Sequence, residues 1–120
     1  MENNTLLAQQ IAAILDKKGA DNIEIYRVDH MTSITDYFVI ATGRNAQAVH
    51  SLGDDLMEQM NARGIVERRS EGLRDGRWIV VDYASVIVHI FHPEEREYYN
   101  IERLWADGTN AVEFTREPIA

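Results

Sequence analysis

The run DYFVIAT at residues 36–42 constrains the fold most, because it is apolar almost without interruption. A strand with one solvated face alternates apolar and polar residues, whereas a strand covered on both faces does not. The run therefore predicts a central strand with other elements packed on both sides. Behind it, Asn45 is a good N-cap for a helix at 45–63, whose apolar residues recur at helical spacing. The connection from this strand through the helix to the next predicted strand is long enough to be a parallel crossover.

Shorter patterns on both sides of this unit predict the remaining elements. Apolar residues at helical spacing indicate a first helix at about residues 5–18, closed by Gly19. Pro93 fits the first position of a last helix, where a missing backbone N–H costs nothing. The other predicted strands are residues 22–29, 65–69, 77–82 and 86–91, and the expected apolar stripe of the last helix is Tyr98, Ile101, Leu104 and Trp105.

This order of elements, α-β-β-α-β-β-β-α, predicts an α/β (α+β) fold with a single mixed β-sheet of about five strands flanked by helices. The helical crossover indicates parallel strands, whereas the Asp75-Gly76 turn and the short break at 83–85 indicate antiparallel neighbours. We expect one domain at residues 1–106, followed by a loosely tied C-terminal tail at 107–120.

Charge and hydropathy restrict the partners and the location. The net charge is −8, and seven acidic residues against three arginines lie between residues 94 and 117, so a phosphate backbone would be repelled. Direct sequence-specific nucleic-acid binding is not expected, whereas a basic protein partner fits; solubility alone explains the charge equally well. No apolar run reaches the length of a membrane span and the N-terminus lacks the basic region of a signal peptide, so we expect a cytoplasmic protein without membrane contact.

Metal and nucleotide binding have little support in the sequence. His89 and His92 are three apart in an extended segment, so their imidazoles point to opposite faces. The chain has no cysteine, no metal site is expected, and a partly buried His89 bonded to a backbone or side-chain partner is favoured. The segment TGRNAQ at 42–47 resembles a phosphate loop only in its single glycine, so no cofactor is expected.

Two catalytic arrangements use residue types found near the strand ends. Asp36 and Asp82 could form a carboxylate pair for acid/base or magnesium chemistry, but both positions also suit ordinary strand ends and turns. Ser85, His89 and Asp82 are the residue types of a hydrolytic triad. Ser85 and His89 are four positions apart along a strand, however, which is roughly 13 Å and too far for a hydrogen bond. No catalytic residue is therefore predicted.

Two aromatic residues stand at the boundaries of an apolar run. Trp78 begins the run and Tyr83 ends it, so these two are better candidates for exposure than the other aromatic residues, which are expected in the core. Tryptophan and tyrosine beside charged residues are typical of protein–protein interfaces. The pattern favours a surface made for a partner over an active site.

Five blocks of the chain together carry a family resemblance. They are SITDYFVIATG (33–43), Glu71-Gly72, WIVVDY (78–83), VIVHIF (86–91) and REYYNIERLW (96–105). In this order they resemble the Iojap family, the ribosomal silencing factors, and the resemblance covers about residues 5–106.

The resemblance implies a function that composition does not reveal. Members of the family bind the large ribosomal subunit through its protein fourteen, a basic protein on the intersubunit face, and block joining of the small subunit under nutrient limitation. The resemblance also implies a homodimer in isolation and a nucleotidyltransferase-like fold. The catalytic signature of nucleotidyltransferases, Gly-Ser followed by paired acidic residues on a strand, does not match, because the corresponding segments read TGRN (42–45) and VERRS (66–70). We therefore expect no enzyme.

The same resemblance assigns roles to individual residues. The partner-facing patch falls on Trp78, Asp82 and Tyr83, with Glu71 and the corner residues Ala84 and Ser85 beside them. Many relatives have glycine at the corner, so alanine would be strained there if the turn needs a positive φ. The residues expected to act as structural supports are Asp36, Tyr37, His89, Arg96, Tyr99 and Glu102.

We therefore expect a ribosomal silencing factor that acts by steric blocking, without catalysis, cofactor or metal. Two alternatives stay open. A nucleotidyl- or phosphoryl-transfer enzyme predicts thermal stabilisation by nucleotide in the presence of Mg²⁺. A dimeric scaffold with no ribosomal role predicts no co-sedimentation with large subunits.

Overall fold

The computed structural model describes residues 2–114, with side chains from residue 4 onward. The described chain forms four helices and six strands. The helices are α1 (Glu2–Lys17), α2 (Ala46–Ala62), α3 (Pro93–Tyr99) and α4 (Glu102–Trp105); the strands are β1 (Asp21–Arg27), β2 (Tyr37–Thr42), β3 (Arg69–Glu71), β4 (Trp78–Asp82), β5 (Val86–Phe91) and β6 (Ala111–Val112).

All six strands join one mixed sheet in the order β3-β4-β5-β2-β1-β6. β2 and β5 are parallel and adjacent, and every other neighbouring pair is antiparallel. The predicted fold class is therefore confirmed, with six strands in place of about five. All six residues of β2 are buried, as the uninterrupted apolar run predicted.

The residues predicted to begin helices α2 and α3 lie at the N-terminal ends of these helices. The Asn45 side chain accepts a hydrogen bond of 2.8 Å from the Ala48 amide and so caps α2. Pro93 is the first residue of α3, and the His92 side chain caps that helix by accepting from the Glu94 amide.

α1 and α2 pack side by side on one face of the sheet, which we call the helix-covered face. Alternate residues of each central strand point into this layer because side chains alternate along a strand. The fully buried side chains there include Ile11 and Leu15 of α1, Leu56 and Met60 of α2, and Ile79 of β4. This layer is the main core of the protein.

The last predicted helix is interrupted, and part of its expected apolar stripe is exposed. Asn100 has a φ of 46° and ends α3 in the left-handed conformation, after which α4 starts in a new direction. Ile101 is buried and Trp105 half-buried, as expected. Tyr98 and Leu104 are instead 81% and 70% exposed, so the prediction of a continuous buried stripe was wrong for these two residues.

The chain after Asp107 is more firmly attached than expected, at least as far as residue 114. β6 pairs with β1, and the buried Asn110 side chain donates to the carbonyls of Arg27 and Trp105 at 2.8 and 2.7 Å. His30 Nε2 also lies 2.9 Å from the Asp107 carboxylate. Residues 115–120 of the predicted tail lie outside the described residues. The division at residue 106 stays a prediction.

Among residues 2–114, no helix is both long enough and apolar enough to cross a membrane.

Candidate docking surface on the open face of the sheet

The face of the sheet opposite α1 and α2 is only partly covered, and we call it the open face. The short helices α3 and α4 pack over part of it, where Phe38 and Ile40 of β2 and Phe91 at the end of β5 are buried. Over β4 and the start of β5 the cover is thinner, so that Trp78, Val80 and Ile87 are only half-buried. The strand register places the residues of this face opposite one another in three pairs: Trp78 and Phe91, Val80 and His89, and Asp82 and Ile87.

Trp78 is held by contacts on three sides. Its indole Nε1 donates a hydrogen bond of 3.1 Å to His89 Nδ1. Its ring stacks on Phe91 and packs at a tilt against Tyr99, with centroid distances of 4.8 Å in both cases. Trp78 therefore has a fixed orientation while part of its ring stays accessible, which is the state expected of an interface anchor.

Aromatic rings continue across the open face on both sides of Trp78. Tyr98 meets Tyr99 edge to face at 5.0 Å, and Phe38 meets His89 and Trp105 edge to face at 5.0 and 4.9 Å. Edge-to-face and offset contacts at these distances are favourable. We call this connected set, Tyr98, Tyr99, Trp78, His89, Phe38 and Trp105, the aromatic row.

His89 lies in the middle of the aromatic row as a neutral imidazole. Indole Nε1 can only donate, so Nδ1 of His89 must be the unprotonated acceptor and Nε2 carries the proton. Burial lowers the pKa of His89 to about 4, because a charged ring would lose its hydration there. The sequence interpretation of His89 as a histidine with a backbone or side-chain partner is confirmed, although the ring is more deeply buried than expected.

Asp82 lies on the open face but does not present its carboxylate to solvent. It is 3% exposed, and its Oδ2 lies 3.2 Å from Arg68 and 3.5 Å from Arg69. Its Oδ1 accepts a hydrogen bond of 2.7 Å from the Ala84 amide. Asp82 thus fixes the end of β4 and holds two arginines at the surface. These groups cover its carboxylate in the free protein, and the partner-facing role expected of Asp82 stays a prediction.

Tyr83 lies on the other side of the sheet from Trp78. It belongs to the core of the helix-covered face and is only 6% exposed, so its predicted exposure was wrong. Burial is the main cause that raises the pKa of its phenol, and the charge of Glu67 adds to it. Adjacent residues of a strand point to opposite faces, so Tyr83 cannot share a flat patch with Asp82.

The corner between β4 and β5 is strained as anticipated. Ala84 is exposed and has a φ of 72°, a region that favours glycine. The Ser85 carbonyl accepts hydrogen bonds of 3.1 Å from the amides of Asp36 and Tyr37, which joins the corner to the start of β2. Ala84 is therefore accessible at the rim, whereas Ser85 holds the strands together through its backbone.

Glu71 is an exposed residue of the edge strand β3 and lies opposite Val80 in the register. The next residue, Gly72, has a φ of 78°, and a Cβ there would lie 2.0 Å from the Trp78 carbonyl oxygen. Only glycine lets the chain pass this close to the first residue of β4. The Glu71-Gly72 block thus places a carboxylate at the edge of the open face.

Arg96 connects the helices over the open face to the strands beneath them. Its guanidinium is buried and donates at 2.7 Å to both Thr42 Oγ1 and Glu102 Oε2, and it lies 3.6 Å from Glu24 Oε1. These contacts join α3, α4, β2 and β1 at one point. The position of Arg96 and Glu102 therefore fits the predicted role of structural supports, which attach α3 and α4 to the sheet.

Two other predicted supports, Asp36 and Tyr37, lie away from the open face. Asp36 accepts a hydrogen bond of 2.7 Å from the Asn4 side chain, and the Tyr37 hydroxyl contacts the Thr5 hydroxyl, so both tie α1 to the start of β2. Asp36 and Asp82 have different partners and no shared contact, so a carboxylate pair does not form. His89 is bonded to Trp78, and it makes no triad with Ser85.

One group of potential metal ligands exists among the described residues. His92, Glu94 and Glu95 offer atoms within 4.8 Å of one another. Arg77 already bonds both glutamates, at 2.7 and 2.9 Å, and the His92 ring caps α3. A guanidinium in this position repels a cation, so the arrangement is best described as an ion-pair cluster at the rim of the open face.

Sequence reasoning missed several residues that make the open face accessible. Val80 and Ile87 lie in register beside the aromatic row, and Tyr98 and Leu104 project from α3 and α4. The signal for the last two was Asn100, since asparagine commonly ends a helix in the left-handed conformation.

Comparison with known proteins gives one consistent result. The protein-family model described as "Ribosomal silencing factor during starvation" matches residues 1–119. A ribosomal silencing factor of Halalkalibacterium halodurans is 36% identical over 108 residues, covering 90% of this chain and 92% of the relative. One from Bacillus subtilis is 34% identical over 106 residues, covering 88% and 90%. A crystal structure of a Chromobacterium violaceum protein superimposes with a TM-score of 0.79 at 26% identity, covering 100% of this chain and 92% of that one.

Proposed function

The chain belongs to the ribosomal silencing factor family, and from this premise we propose that it docks on the large ribosomal subunit through the open face and sterically blocks joining of the small subunit. The partner on the large subunit is its basic protein fourteen, and the outcome is lower translation under nutrient limitation. The observation that carries the proposal is the open face itself, where fixed aromatic rings and exposed apolar side chains adjoin one another.

The chemistry of the open face suits a protein partner. Tyr98 and Leu104 are among the most exposed large apolar side chains of the described chain, and Tyr98 contacts Tyr99, which packs on Trp78. Tyrosine and tryptophan in such clusters provide most of the binding free energy at interfaces. Because hydrogen bonds and stacking fix these rings before binding, less side-chain entropy is lost on docking.

Charge favours a basic partner. The net charge is −8, and Glu71 lies exposed at the β3 edge of the open face. Opposite charges at the rim of an interface mainly speed the encounter, and their effect weakens as salt screens them. Docking should therefore be faster at low salt.

Blocking needs bulk at the docking site and no chemistry. The protein measures 34 × 34 × 30 Å. A copy bound on the large subunit therefore holds the small subunit away by much more than the few ångströms of a direct contact between the subunits. The family name describes silencing, a regulatory role. The proposal includes action in the cytoplasm, where ribosomes join. It also includes a homodimer in isolation, which must release the open face before docking if it uses the same surface.

Co-sedimentation with separated ribosomal particles tests the proposal. The purified protein is sedimented with large subunits, small subunits and joined ribosomes at several salt concentrations. Salt-sensitive binding to large subunits alone is the expected result. Light scattering of mixed subunits should then show that added protein lowers the amount of joined ribosome.

A matched pair of leucine variants tests the surface. Leu104→Ala removes an exposed side chain from α4 beside the open face, and Leu6→Ala removes one that is 53% exposed on α1, on the other side of the sheet. We expect Leu104→Ala to weaken docking about tenfold, or about 1.4 kcal/mol, and Leu6→Ala to leave it unchanged. Equal losses in the two variants would show that docking does not use the open face.

A further inference from the structure

A crevice lies at the edge of the sheet where the two parallel strands end. After β2 the chain enters α2 on the helix-covered face, whereas after β5 it enters α3 on the open face. In open α/β sheets, ligands bind outside the carboxyl ends of parallel strands at such a reversal. This strand-end crevice has a volume of about 310 Å³, at the lower end of the range of about 300–1,000 Å³ found for small-molecule sites. The residues that line it include Asn22, Thr42, Arg96, Glu97, Asn100 and Glu102.

Arg96 lines the strand-end crevice with a guanidinium that keeps unused donors. The residue is only 8% exposed, and its Nε and Nη1 donate to Glu102 and Thr42. Its Nη2 lies 3.6 Å from Glu24 Oε1, which is too far for a hydrogen bond, and it has no other partner among residues 2–114. A guanidinium has five N–H groups, and most buried polar groups have a hydrogen-bond partner. The crevice therefore holds a fixed cation that lacks an acceptor.

Carboxylate oxygens that lack donors line the same crevice. Glu102 Oε1 is buried and accepts no hydrogen bond from the described residues. Glu97 is exposed and makes no side-chain hydrogen bond or ion pair with another described residue. An acceptor that is buried without a donor destabilises the folded state. A ligand that carries an acceptor for Arg96 and donors for these two carboxylates would satisfy both sets of groups.

Two asparagines at the rim of the crevice have left-handed backbone conformations. The φ angles of Asn22 and Asn100 are 51° and 46°. Asn22 also lies where the register of β1 against β2 shifts, between Asp21 and Glu24. Bulges and left-handed residues are common beside functional sites. Neither side-chain amide has a partner among the described residues, so each can donate to and accept from a ligand.

We propose that the strand-end crevice binds a free α-amino acid. A guanidinium binds a carboxylate by charge-assisted hydrogen bonds, and an ammonium group donates three hydrogen bonds, which Glu97 and Glu102 can accept. The two charges of an α-amino acid are attached to one carbon, and the crevice likewise has Arg96 in direct contact with Glu102. A simple anion would be repelled by the carboxylates and a metal ion by the guanidinium. The inference does not depend on the proposed function.

NMR titration of the full chain with each of the twenty common amino acids tests the proposal. At least one of them should shift the signals of the Arg96 Nε–H and of the Asn22 and Asn100 side-chain amides in a saturable way. The N-acetyl derivative of that amino acid lacks the ammonium group, and its carboxamide lacks the carboxylate. Each derivative should bind at least about tenfold more weakly.

Two variants test the assignment to the crevice. Glu97→Gln removes an exposed carboxylate and should weaken binding of the same amino acid about tenfold. Asn22→Gly keeps the positive φ but removes the amide, and it should weaken binding about fivefold. The matched control is Glu58→Gln, which removes an exposed carboxylate from α2 on the other side of the sheet and should change binding less than about twofold.

Any of three results would overturn the proposal. The first is the absence of saturable shifts at the three side-chain signals with every amino acid. The second is equal binding of the amino acid and its two derivatives, because the crevice would then not recognise the paired charges. The third is an equal loss of binding in Glu58→Gln and Glu97→Gln, which would indicate attraction to the acidic protein without a site. Failure of large-subunit docking would leave all these measurements unaffected.

Discussion

The two faces of the sheet are built from alternate residues of the same strands, yet they have different tasks. On the helix-covered face, Val81 and its neighbours are fully buried under two long helices. On the open face, Val80 and Trp78 are half-buried, and the cover consists of a seven-residue and a four-residue helix. The first face supplies stability that does not depend on a partner. The open face keeps apolar surface accessible to solvent. The protein tolerates this exposure because the core under the helix-covered face already stabilises the fold.

The open face depends on one buried arginine, which gives the largest predicted effect. Arg96→Met leaves Glu102 without its cation and removes the hydrogen bond to Thr42. Removing one partner of a fully buried pair costs roughly 3–5 kcal/mol. Because Glu102 and Glu24 keep some contact with solvent, we expect a loss at the lower end of that range, about 3 kcal/mol. Denaturant unfolding measures the loss. Docking measured well below the unfolding temperature should also weaken, because α3 and α4 lose their attachment to β2.

The control for this variant is Arg103→Met, which removes an exposed arginine from the neighbouring helix. Its unfolding free energy should stay within about 0.5 kcal/mol of the parent protein. An equally small loss in Arg96→Met would mean that the open face does not need this arginine.

Acid should destabilise the protein through the open face. His89 stays neutral in the folded protein down to its pKa of about 4, whereas in the unfolded chain it takes up a proton near the ordinary histidine pKa of about 6.5. The unfolded state binds the extra proton between these values, so the free energy of unfolding falls as pH drops from 6.5 to 4, by about 3 kcal/mol. Unfolding titrations across this range should show the loss.

His89→Gln serves as the control, because glutamine can accept from the Trp78 indole and does not titrate. Its unfolding free energy should change about 3 kcal/mol less than that of the parent protein between these pH values. An unchanged pH profile would assign the acid sensitivity to another group.

A pair of adjacent valines compares the two faces within one strand. Val81→Ala removes two methyl groups from a fully buried site, with an expected cost of about 2 kcal/mol in the free energy of unfolding. Val80→Ala should cost about half as much, because the side chain is half-exposed in the free protein. Docking should respond in the opposite order, with the larger loss in Val80→Ala. If the two variants lost the same amount of stability and the same amount of docking affinity, the two faces would not differ in function.

The smallest predicted effect concerns the corner where β4 turns into β5. Ala84→Gly relieves a φ of 72° and should raise the free energy of unfolding by about 1 kcal/mol. Ala106→Gly is the matched control, since Ala106 has a φ of −85° and gains nothing from glycine. Thermal unfolding of the two variants compares them directly. A lower stability of Ala84→Gly would show that the corner is not strained.

The fold class was predicted well because the strongest pattern in the sequence, the apolar run at residues 36–42, belongs to the central strand of the sheet. The apolar run of β2 required cover on both sides, and the helix after it indicated a parallel crossover. The expected crossover led to the next strand, β3, whereas the parallel neighbour of β2 is β5, because β3 lies at the edge of the sheet. The split of the last helix was missed because a single residue, Asn100, decides it against a favourable apolar spacing. β6 was missed because two residues are too short to show a pattern.

The candidate site was predicted less accurately, for a geometric reason. The resemblance grouped Trp78, Asp82 and Tyr83 by position along the chain, but strand alternation places Tyr83 on the opposite face from the other two. This could have been derived from residue parity alone. The cover of Asp82 by two arginines could not, because it depends on the pairing of β3 with β4.

The distribution of indole rings has a practical consequence. The protein has two tryptophans, and both Trp78 and Trp105 belong to the aromatic row. Emission excited at the red edge of protein absorbance therefore comes only from the open face, and the side bearing α1 and α2 is spectroscopically dark. The unmodified protein thus carries its own optical reporter of whatever covers that face.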